Sequence, residues 1–117
     1  MTNERWLRWA IQRHLRTQGY RVNMKGVKVG NSIIDGEAEN DSEKIALEIK
    51  SGHDDVIRGI GQLSEALASG YKTAVLVTSV QHAKRIRPNV FKNGLVLFGV
   101  DSKAKVRKIS PEEASRI

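Results

Sequence analysis

The chain has no cysteine. That absence removes disulfides, thiolate zinc sites, iron–sulfur clusters and a cysteine nucleophile, so any metal must be held by oxygen or imidazole. Imidazole is itself scarce: His14, His53 and His82 are scattered without metal-ligand spacing, which fits structural or surface roles. No apolar run approaches the roughly 20 residues of a membrane-spanning helix. The start "MTNERWLRW" lacks the uninterrupted apolar core of a secretory signal, so a cytosolic protein is expected, with no membrane partner. Repeats, linkers and low-complexity tracts are missing too, which leaves a single domain over residues 1–117.

Negative charge is in the minority. Twenty Lys and Arg stand against thirteen Asp and Glu, a net charge of +7, and the field of such a surface attracts polyanions, nucleic acid first among them.

What is present has a clear order. Residues 3–18 read as a helix, with Leu7, Ala10, Ile11 and Leu15 at three- and four-residue spacing and Gly19 as the stop. "YRVNMKGVKV" reads as a first strand ending in a turn at Gly30-Asn31. Segments 32–39 and 44–50 read as two more, joined by the polar turn "ENDS". Val56, Ile57, Ile60, Leu63 and Leu67 predict a second helix from Asp54 to Ser69. "KTAVLVTS" and "GLVLFGVD" predict strands buried on both faces, separated by the basic segment "QHAKRIRPNVF". "AKVRKI" offers an edge strand, and the tail "SPEEASRI" opens with a helix-capping pattern at Ser110, Pro111 and Glu113. The expected fold class is α/β, a mixed sheet flanked by helices.

Charge within the interior of that plan marks the candidate site. In "IIDGEAENDSEKIALEIKSG" apolar flanks precede Asp35 and Glu48, although strands of this kind normally exclude charge. Strand alternation puts Glu48 and Lys50 on one face, with Leu47 and Ile49 on the other, and lines up Asp35, Glu37 and Glu39 on the preceding strand. A tight hairpin brings one or more of those acids across from Glu48 and Lys50. Adjacent carboxylates repel each other, and Mg²⁺ or Mn²⁺ held by oxygen relieves the repulsion, polarises a phosphodiester and activates water. A nearby lysine positions that water and offsets charge growing on phosphate oxygens. For Glu37 and Glu39, solvated ion pairs are an equal alternative.

Asp35 after "II", twelve intervening residues, and Glu48 and Lys50 in "EIK" resemble the PD-(D/E)XK nuclease superfamily, with Ile34 in place of its proline. The order of elements over residues 3–100 is similar to that superfamily's restriction-endonuclease-like α-β-β-β-α-β core, shared with archaeal Holliday-junction resolvases. The resemblance implies a Mg²⁺-dependent endonuclease hydrolysing DNA, with Asp35 and Glu48 as metal ligands and Lys50 placing the nucleophilic water. A nucleic-acid-binding module of the same fold, without turnover, is the alternative. The resemblance also implies accessory roles for Glu4, on the inward side of the first helix or else a dipole-favoured first-turn acid, and for Gln62, with Arg58 one turn before it. Ala66 replaces the tyrosine that follows this glutamine in the recombination-nuclease branch. Ser51 is a candidate phosphate contact or a turn residue, and Lys84, Arg85 and Arg87 are candidate contacts to the DNA backbone. Finally, Trp6, Trp9 and Arg13 cluster opposite Leu7, Ile11 and Leu15. Such a face is covered by a neighbouring segment or forms the contact of an expected homodimer.

Overall fold

A computed structural model describes residues 3–86 and 94–110, apart from the side chains of residues 53–55. The first helix, α1, spans Glu4–Thr17; Asn3 caps it, its side-chain oxygen accepting a 2.9 Å bond from the Trp6 N–H. Three short strands follow, β1 (Arg21–Asn23), β2 (Val27–Val29) and β3 (Ser32–Ile34), then β4 (Gly36–Glu39) and β5 (Lys44–Ile49). Helix α2 (His53–Ala68) leads to β6 (Thr73–Ser79), the four-residue α3 (Val80–Ala83), β7 (Leu95–Val100) and β8 (Val106–Lys108).

Among the described residues, one mixed sheet of six strands runs β1-β4-β5-β6-β7-β8, and β2 pairs with β3 in a separate ribbon. β5, β6 and β7 are parallel to one another; the pairs β1/β4, β4/β5 and β7/β8 are antiparallel. The arrangement is a mixed α/β sandwich compatible with the expected α-β-β-β-α-β core. No described helix is long and apolar enough to cross a membrane.

Alternation along the strands divides the core between the two sheet faces. Leu47, Ile49, Val75 and Val77 pack with Leu7, Ala10, Ile11 and Leu15 of α1. On the other face Ala46, Ala74 and Leu76 pack with Val56, Leu63 and Ala66 of α2. The apolar row of α2 is therefore offset from the expected one. Ile57 is 71% exposed, and the buried stripe runs through the small residues Gly59 and Ala66, which carry little hydrophobic signal. Trp6 also departs from expectation: it packs against the α1 core, while Trp9 remains outside with the Arg13 guanidinium 5.5 Å from its ring centre.

Both expected long strands around the site are broken. The first divides at Met24–Gly26 into β1, at the sheet's edge, and β2, in the ribbon. The second divides at Asp35, where side-chain bonds replace the backbone ladder: the Asp35 N–H donates to Glu48 Oε1 at 2.9 Å, and the Ile49 N–H donates to Asp35 Oδ2 at 2.8 Å. Asp35 consequently does not continue the row of Glu37. It meets Arg8 of α1, whereas Glu37 meets Tyr71 just beyond α2. The tail pattern at Pro111 and Glu113 lies outside the described residues.

Candidate functional site

The register of β4 on β5 sets Gly36 opposite Leu47, so Asp35 arrives at the level of Glu48. Gly36 is needed at this point because β1 passes very close: a Cβ there would lie 2.8 Å from Met24 Sδ and nearer still to the Asn23 carbonyl oxygen. At the C-terminal end of β5 the Lys50 N–H donates to Val77 O at 3.0 Å, extending the parallel pairing by one residue. The structure thus brings Asp35, Glu48 and Lys50 together at one edge of the sheet, the edge where the parallel strands end.

Glu48 is 1% exposed. One oxygen is used by the Asp35 N–H; the other, Oε2, is buried without a hydrogen-bond partner and lies 3.8 Å from Lys50 Nζ. Burial, then the bond and charge of Asp35, push the Glu48 carboxyl up to about 8, against a smaller opposing effect of Lys50. Asp35 is held differently, with the Arg8 guanidinium 3.2 Å from Oδ1. Arg8 also reaches Glu4 at 3.3 Å, so Glu4 is one ion pair removed from Asp35 and is exposed rather than inward-facing.

Helix α2 closes the other side of the site. A Cβ on Gly59 would stand 3.1 Å from Lys50 Cγ and from Leu76 Cδ1, and 3.4 Å from Glu48 Cγ, so glycine lets the helix backbone press directly on the pair. Gln62 donates from Nε2 to Ile33 O at 2.9 Å, tying α2 to the strand that enters Asp35; its Oε1 is buried without a partner. Thr78 belongs to the same face of β6 as Ala74 and Leu76, next to Lys50 in the parallel register. Its hydroxyl is likewise buried and unpartnered.

Other expected residues stay outside this cluster. Ser51 is half-buried just after β5, and Arg58 is exposed on α2. Lys84 and Arg85 are exposed just after α3, and no described hydrogen bond or ion pair joins them to Asp35, Glu48 or Lys50. Arg87 lies outside the described residues. Three contributors were not anticipated. Arg8 left one signal, its i,i+4 spacing from Glu4. Gly59 and Thr78 left none beyond being a glycine in a helix and a hydroxyl in an apolar strand.

The donors available are carboxylate oxygens, which suit a hard divalent cation. Asp35 and Glu48 fit that role because Glu48 Oε2 has no hydrogen-bond partner in the protein. Among the described residues no group of three or more His, Asp or Glu converges, so the remaining positions on such an ion would fall to water or substrate oxygen.

No family model matches the chain, and no curated protein does. Solved structures do resemble it. A protein of unknown function from Silicibacter pomeroyi, SPO1766, aligns over 97% of this chain and 80% of its own, with a TM-score of 0.68 and 13% identity. The Pyrococcus furiosus protein SfsA, solved in complex with Ca²⁺, aligns over 90% of this chain and 60% of its own, with a TM-score of 0.53 and 14% identity. At such identities the likeness concerns the fold alone.

Proposed function

We propose that the protein is a PD-(D/E)XK-type, metal-dependent endonuclease that hydrolyses phosphodiester bonds in DNA. One observation carries the reading: a buried carboxylate oxygen without a hydrogen-bond partner, on Glu48, beside a second carboxylate and a lysine where the parallel strands end. Lys50 gives that oxygen a charge at 3.8 Å but no hydrogen bond, and an unsatisfied buried acceptor costs about 1–3 kcal/mol. The neighbour SfsA was solved with Ca²⁺, and a divalent cation on Asp35 and Glu48 is the matching proposal here.

Hydrolysis adds one water across a bridging P–O bond: the water oxygen bonds phosphorus, the bridging bond breaks, and the departing oxygen takes a proton. Mg²⁺ or Mn²⁺, when bound, supplies polarisation of the phosphate and acidification of water. Lys50, only 17% exposed in its side chain, is placed to orient the attacking water and to stabilise charge on the non-bridging oxygens. Gln62 and Gly59 fix the approach of α2 and β3 to the pair, Glu4 acts on Asp35 through Arg8, and Ser51, Arg58, Lys84, Arg85 and Arg87 are proposed DNA contacts. A cytosolic location accords with this reading. So does a homodimer, since two centres suit the two strands of a duplex. With Trp6 committed to the core, its contact has lost one of the two aromatic anchors expected on α1.

A panel of labelled duplex, flap, junction and single-stranded DNAs, with and without Mg²⁺, tests the reading; Mg²⁺-dependent cleavage lost in Lys50→Ala is the expected result. Arg8 favours one second reading, a binding module in which its guanidinium stands in for the cation on Asp35. Under that reading the wild type binds every member of the panel and cleaves none.

A further inference from the structure

The cationic groups that line one open groove are not used by the site just described. The groove, of about 500 Å³, lies between the second half of α1 and the turn joining β7 to β8, lined by Arg13, His14, Thr17, Lys103, Lys105 and Val106 among others. The turn is built by Asp101, whose Oδ1 accepts from the N–H groups of Lys103 and Lys105, both at 2.9 Å. That carboxylate bonds backbone and also interacts with the charges of Lys105 and Lys103, which remain exposed. Between them Ala104 takes a left-handed φ of 65°, a conformation few residues other than glycine adopt, so the turn holds its two lysines at some cost in strain.

Two further observations indicate what this groove receives. First, β5 and β7 are parallel to β6, so Lys50 and the β7–β8 turn leave the sheet at the same edge, two strands apart, with Lys50 on the α2 face and the groove on the α1 face. A strand of nucleic acid crossing that edge meets both. Second, Arg13 joins the groove to an aromatic surface: its guanidinium is 5.5 Å from the ring centre of Trp9, which is 50% exposed. Cations bordering an exposed aromatic ring suit a sugar-phosphate chain with bases beside it.

We propose that the groove between α1 and the β7–β8 turn is a second, non-catalytic nucleic-acid contact, taking backbone phosphates on Arg13, Lys103 and Lys105. The proposal extends the nuclease reading by naming where the strand runs outside the site, but it rests on its own groups and is testable without turnover. A groove lined by these three cations has the charge to receive a polyanion. The pocket at the opposite sheet edge does not: it contains Glu43, and its Lys44 is 3.3 Å from Glu37.

Binding of labelled single-stranded and duplex oligonucleotides is measured by anisotropy in chelator over a range of salt. The triple variant Arg13→Gln, Lys103→Gln, Lys105→Gln is expected to bind at least tenfold more weakly near 0.1 M salt. Its log–log salt slope should be smaller by about 2–3, since each of the three phosphate contacts contributes about 0.7–0.9. A second triple at the opposite edge, Arg21→Gln, Lys44→Gln, Lys72→Gln, removes the same charge and should lose less than threefold. In the otherwise wild-type protein, oligonucleotide should change the tryptophan emission, and Trp9→Phe should abolish the change. Equal losses in the two triples, or no emission change, overturn the proposal. So does a groove triple that binds normally but sediments as a smaller species, which would assign this face to a second copy of the chain. Binding that follows the predicted pattern without Mg²⁺-dependent cleavage leaves the contact standing and removes the nuclease reading instead.

Discussion

Glu37 and Glu48 occupy neighbouring strands of one hairpin and the same face of it: Glu37 stands opposite Ala46, and Glu48 lies two residues beyond Ala46. Their surroundings differ sharply. Glu37 is satisfied within the protein, accepting from the Tyr71 hydroxyl at 2.6 Å with Lys44 Nζ 3.3 Å away. Burial and then this bond push the Tyr71 phenol up, so the hydroxyl remains a donor at any ordinary pH. Glu48 has one oxygen bonded to a backbone N–H and the other buried with no hydrogen-bond partner, Lys50 Nζ being 3.8 Å away. One end of the hairpin hydrogen-bonds its acid within the protein; the other leaves a buried acceptor oxygen without a hydrogen bond. The proposed site therefore rests on the unmet acceptor and not on acidic strands as such.

The contrast predicts opposite consequences for equivalent changes. The largest is kinetic: Lys50→Ala should lower single-turnover cleavage by about 10²–10³-fold, the range for removing a group that stabilises transition-state charge, with DNA affinity nearly unchanged. Glu37→Gln should leave the rate within about twofold, and a comparable fall would show that the two ends are not functionally distinct.

Stability in chelator gives the next effect. The folded Glu48 carboxyl titrates near 8, above its ordinary 4.5. The folded state therefore holds a proton that the unfolded chain releases, and the associated stability is present below about 4.5 and lost as pH rises through 8. Glu48→Gln should melt higher than the wild type at pH 8 and flatten the fall in stability between pH 5 and 8. Thermal melts across that range that superimpose for the two proteins would contradict it.

Gly59→Ala should act on the site more than on the fold. The added methyl must displace Lys50 and Leu76 by a few tenths of an ångström, while alanine favours the helix by up to about 1 kcal/mol. Cleavage should fall roughly tenfold at nearly constant stability, and a parallel loss of both in melts and rates would give Gly59 a purely structural role. Smallest is Tyr71→Phe, which should cost about 1 kcal/mol in chemical denaturation by leaving a mostly buried Glu37 oxygen with one partner fewer, and should not change cleavage.

Most of the sheet was legible because β6 and β7 are nearly continuous apolar runs, and α1 because its buried row is made of large residues. Asp35, Glu48 and Lys50 were legible for a related reason: charge stood where apolar flanks demanded none. The rest depended on contacts distant in the chain. Arg8 reaches Asp35 across 27 positions, and no local pattern announces that. The break at Asp35 follows from side-chain bonds to the neighbouring strand, and strand alternation alone cannot foresee it. Ile57 was misplaced because hydrophobic spacing weighs large residues, while α2 approaches the sheet through Gly59 and Ala66.

The central claim is that the unpartnered oxygen of Glu48 exists to hold a divalent cation with Asp35. Calorimetric titration of Mn²⁺ into the wild type, Glu48→Gln and Glu37→Gln, at neutral pH without DNA, tests it most directly. The account predicts one saturable site in the wild type, retained in Glu37→Gln and lost in Glu48→Gln. Absence of binding in the millimolar range, or equal binding by all three proteins, would contradict it.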